Sequence, residues 1–469
     1  MSIQTFERTV DSPASALETF EWHVRPGALR RLLPPWDSAT VVSGSGPTER
    51  LSVGARTTIR VGLGPVGIRW IAEISELDRD ATFFVDTQVK GPFKSWDHRH
   101  QVETKGEGSA HPSTLTDHIE YALPMGILGR TFGGGAVRKK LDRMFAWRHR
   151  VMLHDLEAHA RAASAGFKGK RIAITGASGL VGSSLAAFLR TGGHEVLELV
   201  RRAPKGPHEV RWDPAQGTVD HGALEGIDAL VHLAGESIFG LRWTAEKKRR
   251  IAESRVMGTR AIVTAINAMK APPKVLVCAS AIGIYGDRGE EALTEDAPRG
   301  TGFLADTCSA WEDEVKQVRS DVREVRGRIG VVLDAGGGAL KTMLPAFKMG
   351  VGGRLGDGQS WFPWIALDDL VGAFHRAMHD ESLTGPVNFV APQEVRGQEF
   401  AKCLGGVLRR PTILPAPRFA LRMALGKEQA DEMLLASVRV QPQVLQGGGF
   451  PYRYPKLQDA LKHALGVAE

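Results

Sequence analysis

Three glycines set the first chemical expectation. In RIAITGASGLVG, residues 171–182, Gly176, Gly179 and Gly182 recur at every third position. They lie directly after a short apolar run and directly before a helical pattern. A GxxGxxG on a strand-to-helix turn suits a pyrophosphate. Gly176 permits the tight turn, Gly179 lets the backbone approach the phosphates, and Gly182 lets helix and strand pack closely. The N–H groups that open the helix face the anion, with the positive end of the helix dipole behind them. A glycine-rich turn without a ligand is the bland alternative. At the end of the next apolar run, Leu199-Val200 is followed by Arg201 and Arg202, with no acid at that position. A carboxylate there would hold the ribose 2′-hydroxyl of NAD. Two guanidinium groups suit a 2′-phosphate instead, through bidentate pairing and stacking on adenine. The pattern predicts NADP(H) rather than NAD. The alternative for both arginines is a solvated strand end.

These residues need a frame, and the chain changes character near residue 165. Before it, strand-like segments dominate. Gln4–Val10 alternates. Ser12–Pro13 reads as a helix start, with the helix reaching about Leu33. Strands are expected at Arg56–Leu63, Gly67–Leu77, Thr82–Val89, Ser95–Glu103 and Thr114–Ala122, then a long helix from about Ala136 to Ala163. A curved antiparallel sheet wrapped on that helix is an α+β helix-grip, with an apolar cavity between sheet and helix. After a linker at Ala162–Lys170, strands and helices alternate: Arg171–Thr175, Leu180–Thr191, Glu195–Val200, Ala229–Leu233, Ala245–Ala268, Val275–Ala279 and Phe303–Val318. That order predicts an α/β fold, a doubly wound parallel sheet of the Rossmann kind. The expected domains are 1–162, 168–400 and 401–469, the last a small α/β domain completing a substrate lobe.

Composition closes several other routes. The 469 residues are 42% hydrophobic and 24% charged, which is globular and excludes wholesale disorder. Net charge is +7, but the basic residues are scattered, as solvated helix faces would be, and no nucleic-acid module is recognised. Cys278, Cys308 and Cys403 form no CxxC pair, which argues against a disulfide framework or a zinc site and for a reducing compartment. The N-terminus lacks a signal-peptide core and no apolar run approaches a membrane span, so a cytoplasmic location is expected. His98 and His100 share one face of a strand and His118 lies on another strand. A metal site there is one reading, but no carboxylate spacing supports it, and a polar strand surface is the expectation.

Longer stretches carry a resemblance. TGASGLVG, VHLAGESI (231–238), ASAIGIYGDRGE (279–290), GFLADTCSAWE (302–312), the run Arg328–Leu370 and GGGFPYRYPKLQDAL resemble an extended short-chain dehydrogenase/reductase. The match is to the SulA-like branch of NAD-dependent epimerases/dehydratases, and it covers Lys170 to Leu465 almost continuously. WDHRHQVE and TLTDHIEYALP resemble the START-like (SRPBCC) superfamily, whose members bind diverse apolar ligands; the resemblance implies a cavity able to take an apolar ligand rather than any particular one. The epimerase resemblance implies a cofactor site built from Thr175, Gly176, Ser178, Gly179, Leu180, Val181, Gly182, Arg201, Arg202, Leu233, Ala234, Gly235 and Ala279. His232 lies at a strand end near it. It also implies a Ser–Tyr–Lys catalytic set. Ser280, just after its strand, matches the serine. Leu304 stands at the tyrosine position and Cys308 at the lysine position, so the usual proton relay is missing. Tyr285 is a substitute acid or a packing tyrosine.

Glu236, Ser237, Arg328, Trp361 and Trp364 are the substrate-side candidates. Arg328 is placed at a strand start as an anion anchor. The tryptophans lie in the glycine-rich loop Gly352–Trp364, where they either stack on a ligand or pack two lobes. Asp368 and Asp369 are expected to cap the next helix. Two functions follow. One is an NADP(H)-dependent oxidoreductase or epimerase acting on a small carbonyl or hydroxyl compound. The other is a non-catalytic NADP-sensing or scaffold protein. Helices at Ala245–Ala268 and Phe303–Val318 would serve a homodimer.

Overall fold

In WDHRHQV every second side chain faces the same way, and the structure buries that set: Trp96, His98, His100 and Val102. Strand periodicity thus selects the inner face of a sheet before any long-range contact is known. The computed structural model describes residues 3–37, 39–43, 49–62, 67–106, 109–124, 126–240 and 242–467. The chain divides into two compact units, one largely Met1–Gly169 with Ala186–His194, the other Lys170–Leu185 with Glu195–Leu465.

The first unit contains β1 (Gln4–Ser12), α1 (Ala16–Val24), α2 (Ala28–Arg31), β2 (Ala39–Ser43), β3 (Arg56–Val61), β4 (Ile68–Asp78), β5 (Phe83–Lys90), β6 (Ser95–Thr104), β7 (Ser113–Ala122) and α3 (Gly126–Ser164). The strands form one antiparallel sheet in the order β1-β7-β6-β5-β4-β3-β2. Its inner face packs Phe20, Trp22, Phe84, Val102 and Leu115 with Met152 and Leu156 of α3. Three expectations are corrected here. The first helix starts at Ala16, capped by Ser15, whose hydroxyl accepts from Glu18 N at 3.2 Å. Ser12 instead ends β1 and bonds Thr19 at 2.7 Å. The helix also breaks at Arg25: a residue before proline avoids the α region, and Gly27 then takes φ 92°. Strand β2 was not expected. Leu63, the expected end of β3, lies outside the described residues.

The second unit contains β8 (Arg171–Thr175), the first half of α4 (Leu180–Thr191), β9 (Glu195–Val200), β10 (Glu209–Asp213), β11 (Thr218–Val219), β12 (Ala229–His232), α5 (Ala245–Ala268), β13 (Val275–Ala281), β14 (Ala292–Leu293), α6 (Phe303–Val315) and β15 (Arg323–Ile329). There follow β16 (Val331–Leu333), α7 (Gly338–Lys348), β17 (Trp364–Ala366), α8 (Leu367–His379), β18 (Gly385–Phe389), α9 (Gly397–Leu408), α10 (Arg418–Leu425), further short helical segments, β19 (Arg439–Val440) and a last helix, Leu457–Leu465. The main sheet runs β11-β10-β9-β8-β12-β13-β15-β18, parallel except for β11. Ile172, Ala173, Ile174, Leu230, Val231, Leu276 and Val277 are buried, as strands covered on both faces require. The chain leaves β8 toward β9 on one side and returns at β12 on the other. That reversal opens a crevice at the carboxyl ends of β8 and β12, where such sheets bind ligands. Among the described residues, no helix is long and apolar enough to cross a membrane.

Candidate functional site

The glycine turn sits at that crevice. Gly176 has φ 69°, and a Cβ there would lie 3.0 Å from backbone atoms of Leu233 and Ala234. A Cβ on Gly182 would lie 2.2 Å from the Gly176 carbonyl oxygen, and one on Gly179 would lie 3.3 Å from it. Gly179 N donates to Gly176 O at 3.0 Å, closing the turn. Leu180, Val181 and Gly182 open α4, so their N–H groups have no carbonyl one turn earlier in the helix. Ser178 and Gly179 are exposed. This open cradle, with free donors at its rim, fits a dinucleotide pyrophosphate.

Thr175 holds the opposite wall. Its hydroxyl oxygen accepts from Leu233 N at 3.0 Å and Ala234 N at 3.1 Å, and lies 2.7 Å from His232 Nδ1. With two N–H groups on the oxygen, the hydroxyl proton goes to Nδ1, which leaves His232 protonated at Nε2. Burial lowers its pKa to about 4, so the ring is neutral. Farther round the rim, Arg202 forks onto Glu209. Arg201 is exposed, and its charge reaches Glu236, which Lys247 holds at 2.6 Å and keeps below the usual carboxylate range. Gly235 and Ser237 are exposed beside Glu236, with Ser237 Oγ accepting from Phe239 N. Ala279 is buried in β13.

The expected proton carriers lie at the end of β13 and in the turn that follows it. Strand β13 runs on to Ala281, so Ser280 is inside the strand, paired with Arg328 across β15. Arg328 stands near the end of β15, not at its start. Ser280 donates to Glu312 Oε1 at 2.7 Å, and Arg328 forks onto Glu312 at 2.9 and 3.0 Å. Tyr285 is 0% exposed; its hydroxyl lies 2.7 Å from Asn388 Oδ1 and accepts from Arg328 at 2.9 Å. Burial pushes its pKa up. The Tyr285 hydroxyl is therefore held in a buried net, and Arg328 is a buried partner of Glu312 rather than an exposed anion anchor. Tyr285→Phe is expected to lower stability by about 1–3 kcal/mol, because Arg328 and Asn388 lose a buried partner. Nucleotide binding should not change. A variant melting with the parent would remove the hydroxyl from the fold's support.

Trp364 is 0% exposed and donates to Gln393 O. Trp361 donates to Glu290 at 3.0 Å, and its ring lies under the guanidinium groups of Arg396 and Arg439 at 4.3 and 5.0 Å. Both fix the loop rather than present a free ring to a ligand. Asp368 and Asp369 do not cap α8. Asp369 accepts from Arg453 N and Tyr454 N, and Asp368 pairs with His463 at 2.9 Å, so together they tie down the C-terminal segment. Cys308, at the lysine position, is buried and its thiol is pushed up to about 12. Sequence reading missed Arg255 of α5. Its guanidinium lies 5.2 Å from the Trp311 ring centre, donates to Glu236 O at 2.9 Å and acts electrostatically on Cys308. It brings a fixed cation to the region where Cys308 replaces the lysine, and only the helix packing reveals it.

Comparison with known proteins matches this geometry. The profile of the NAD dependent epimerase/dehydratase family matches residues 172–304, and a domain of unknown function (DUF1731) matches residues 416–464. An epimerase family protein of Mycobacterium bovis is 40% identical over 294 residues, which is 62% of this chain and 97% of that protein. The chain belongs to the epimerase family. Among solved structures, the nucleoside-diphosphate sugar epimerase from Corynebacterium glutamicum is 31% identical, with a TM-score of 0.79 over 98% of this chain and 90% of that one. For this epimerase-family chain, that likeness extends over the antiparallel unit as well. The human epimerase family protein SDR39U1 (isoform 2), solved with NADPH, is 32% identical with a TM-score of 0.59, covering 64% of this chain and all of that one.

Proposed function

We propose that the second unit binds NADP(H) and acts as an oxidoreductase or epimerase on a small compound bearing a carbonyl or hydroxyl group. The observation that carries this is the open glycine cradle at the end of β8 with the exposed Arg201 at the end of β9. NADPH in the human relative and the name of the Corynebacterium protein support the cofactor and the reaction class. The α4 N–H groups hold the pyrophosphate. Arg201 takes the 2′-phosphate, while Arg202 braces Glu209. Bound nicotinamide supplies hydride exchange. Thr175 sets the wall through Leu233 and Ala234, and Glu236 and Ser237 offer polar groups to the substrate.

A second reading, a cofactor sensor without turnover, is favoured by one specific observation. The Ser280 and Tyr285 hydroxyls are both committed inside a buried net, and Leu304 and Cys308 replace the relay. Nicotinamide fluorescence during titration with NADPH and NADH tests the shared part. Arg201→Ala should weaken NADPH roughly tenfold, the value of one charge-assisted phosphate contact, and leave NADH unchanged. Arg202→Ala should do less. NADPH consumption against a panel of carbonyl compounds then separates enzyme from sensor. Failure to bind either nucleotide sinks both readings.

A further inference from the structure

The first unit buries a second constellation that the strand register assembles. Asp86 on β5 stands opposite His98 on β6, and His100 on β6 stands opposite Asp117 on β7. All four project from the inner face, where His149 of α3 joins them. His98 Nδ1 and His100 Nε2 converge on one oxygen, Asp86 Oδ2, at 3.1 and 3.4 Å. Behind them, Asp117 Oδ1 lies 3.0 Å from His98 Nε2 and 2.7 Å from His100 Nδ1, and Asp117 Oδ2 lies 2.5 Å from His149 Nε2.

Each of the two imidazoles therefore has a carboxylate oxygen at both ring nitrogens. A neutral imidazole has one N–H and one lone pair. Whichever nitrogen keeps the lone pair then faces an anion. His100 Nδ1, despite its short distance to Asp117, lacks the alignment of a hydrogen bond, and both His100 and His149 leave a fully buried Nδ1 unsatisfied. A divalent cation between His98, His100 and Asp86 removes the conflict at the front, while Asp117 takes the His98 N–H behind and stands 2.7 Å from His100 Nδ1. Zinc-type donors lie about 2.0–2.2 Å from the ion, so at a tetrahedral angle neighbouring donors stand roughly 3.4 Å apart. The observed 3.1 and 3.4 Å spacings meet that requirement. The ligand atoms of Asp86, His98 and His100 all lie within 4.8 Å of one another.

The surroundings are consistent with an ordered site. His100 stacks on Phe84 with centroids 4.1 Å apart, which fixes its ring plane. From α1, His23 lies 5.7 Å from His100 and turns its Nδ1 to Thr19 O. From α3, Arg148 adds one half-buried cation whose Nε bonds Leu32 O. Two carboxylates and one guanidinium leave a net negative charge for neutral imidazoles. Asp86 keeps 21% side-chain exposure, against 4% for His98 and 8% for His100, so the cluster is reached from that side.

We propose that Asp86, His98 and His100 bind one divalent transition-metal cation of the zinc or ferrous class, with Asp117 ordering the His98 imidazole from behind and Phe84 holding the His100 ring. Three protein ligands leave a coordination position for a small ligand or water. The test uses the full chain, treated with a chelator and dialysed against Co2+ as the probe. One equivalent of saturable cobalt, displaced by Zn2+ and showing the visible bands of a low-coordinate site, is expected. His98→Ala with His100→Ala should abolish it, and Asp117→Asn should weaken it by about 10–100-fold as an outer partner of the ligands. His118→Ala, on the opposite and partly exposed face where His118 pairs with Glu7, should leave binding intact. Absence of saturable uptake by the parent chain overturns the proposal, whether or not the variants fold. So does uptake that the double variant retains, or a net held by protons alone.

Discussion

Replacing Glu312 with alanine lowers the stability of the second unit by roughly 3–5 kcal/mol, the cost of leaving buried charges without their partner. Glu312 is 2% exposed. Its carboxylate receives both arms of Arg328, one arm of Arg326 at 3.3 Å and the Ser280 hydroxyl. Arg328 is itself 7% exposed, so water cannot replace what alanine removes. Arg326 keeps Glu324 at 3.0 Å, but among the described residues Arg328 keeps only Tyr285 and Glu295 O, both on Nη1. The loss should appear as a drop in melting temperature on the order of 10 °C. Glu312→Gln, which preserves the shape and one acceptor, should lose less. A shift of only a degree or two for the alanine variant would mean that the net carries little of the fold's stability.

The second large effect falls on the nucleotide. Gly182→Val should cut NADPH affinity by about 100-fold or more, since a displacement near 1 Å is enough to spoil a positioned contact. The added Cβ would meet the Gly176 carbonyl oxygen at 2.2 Å and the Ala177 Cα at 2.9 Å, both backbone atoms of the turn. The turn must open, and the first N–H groups of α4 move with it. Gly179→Ala, where the Cβ meets that oxygen at 3.3 Å, should do less, and Gly206→Ala, which meets nothing, should do nothing. Fluorescence titration reads the series. Equal binding by Gly182→Val and the parent would remove the cradle from the proposed function.

The contrast between the two predictions follows what a linear sequence reveals. The glycines and the apolar runs around them are local, and β8, α4 and β9 take the expected bounds because both faces of a parallel strand must be buried. The first helix went astray for a local reason also: Pro26 forces Arg25 out of the helical region. The net around Glu312 is not local. Ser280 meets Arg328 through strand register, and Glu312 reaches both from α6, so neither the serine's commitment nor the arginine's burial shows in spacing. The same holds for the imidazoles of β6. Their carboxylates stand on the two neighbouring strands, so no spacing within β6 announces them. Asp368 and Asp369 have the composition of a helix start, yet Asp369 serves residues 84 and 85 positions later and Asp368 one 95 positions later.

The edge of the parallel sheet carries a consequence for how copies of this chain meet. Beyond β10 the last strand is β11, only Thr218–Val219, and it runs antiparallel to its neighbour. A strand of two residues offers an incoming chain almost no ladder of N–H and C=O groups, and its reversed direction breaks the parallel series. Lengthening of the sheet from one molecule into the next is thereby blocked on that side, a common guard against runaway stacking.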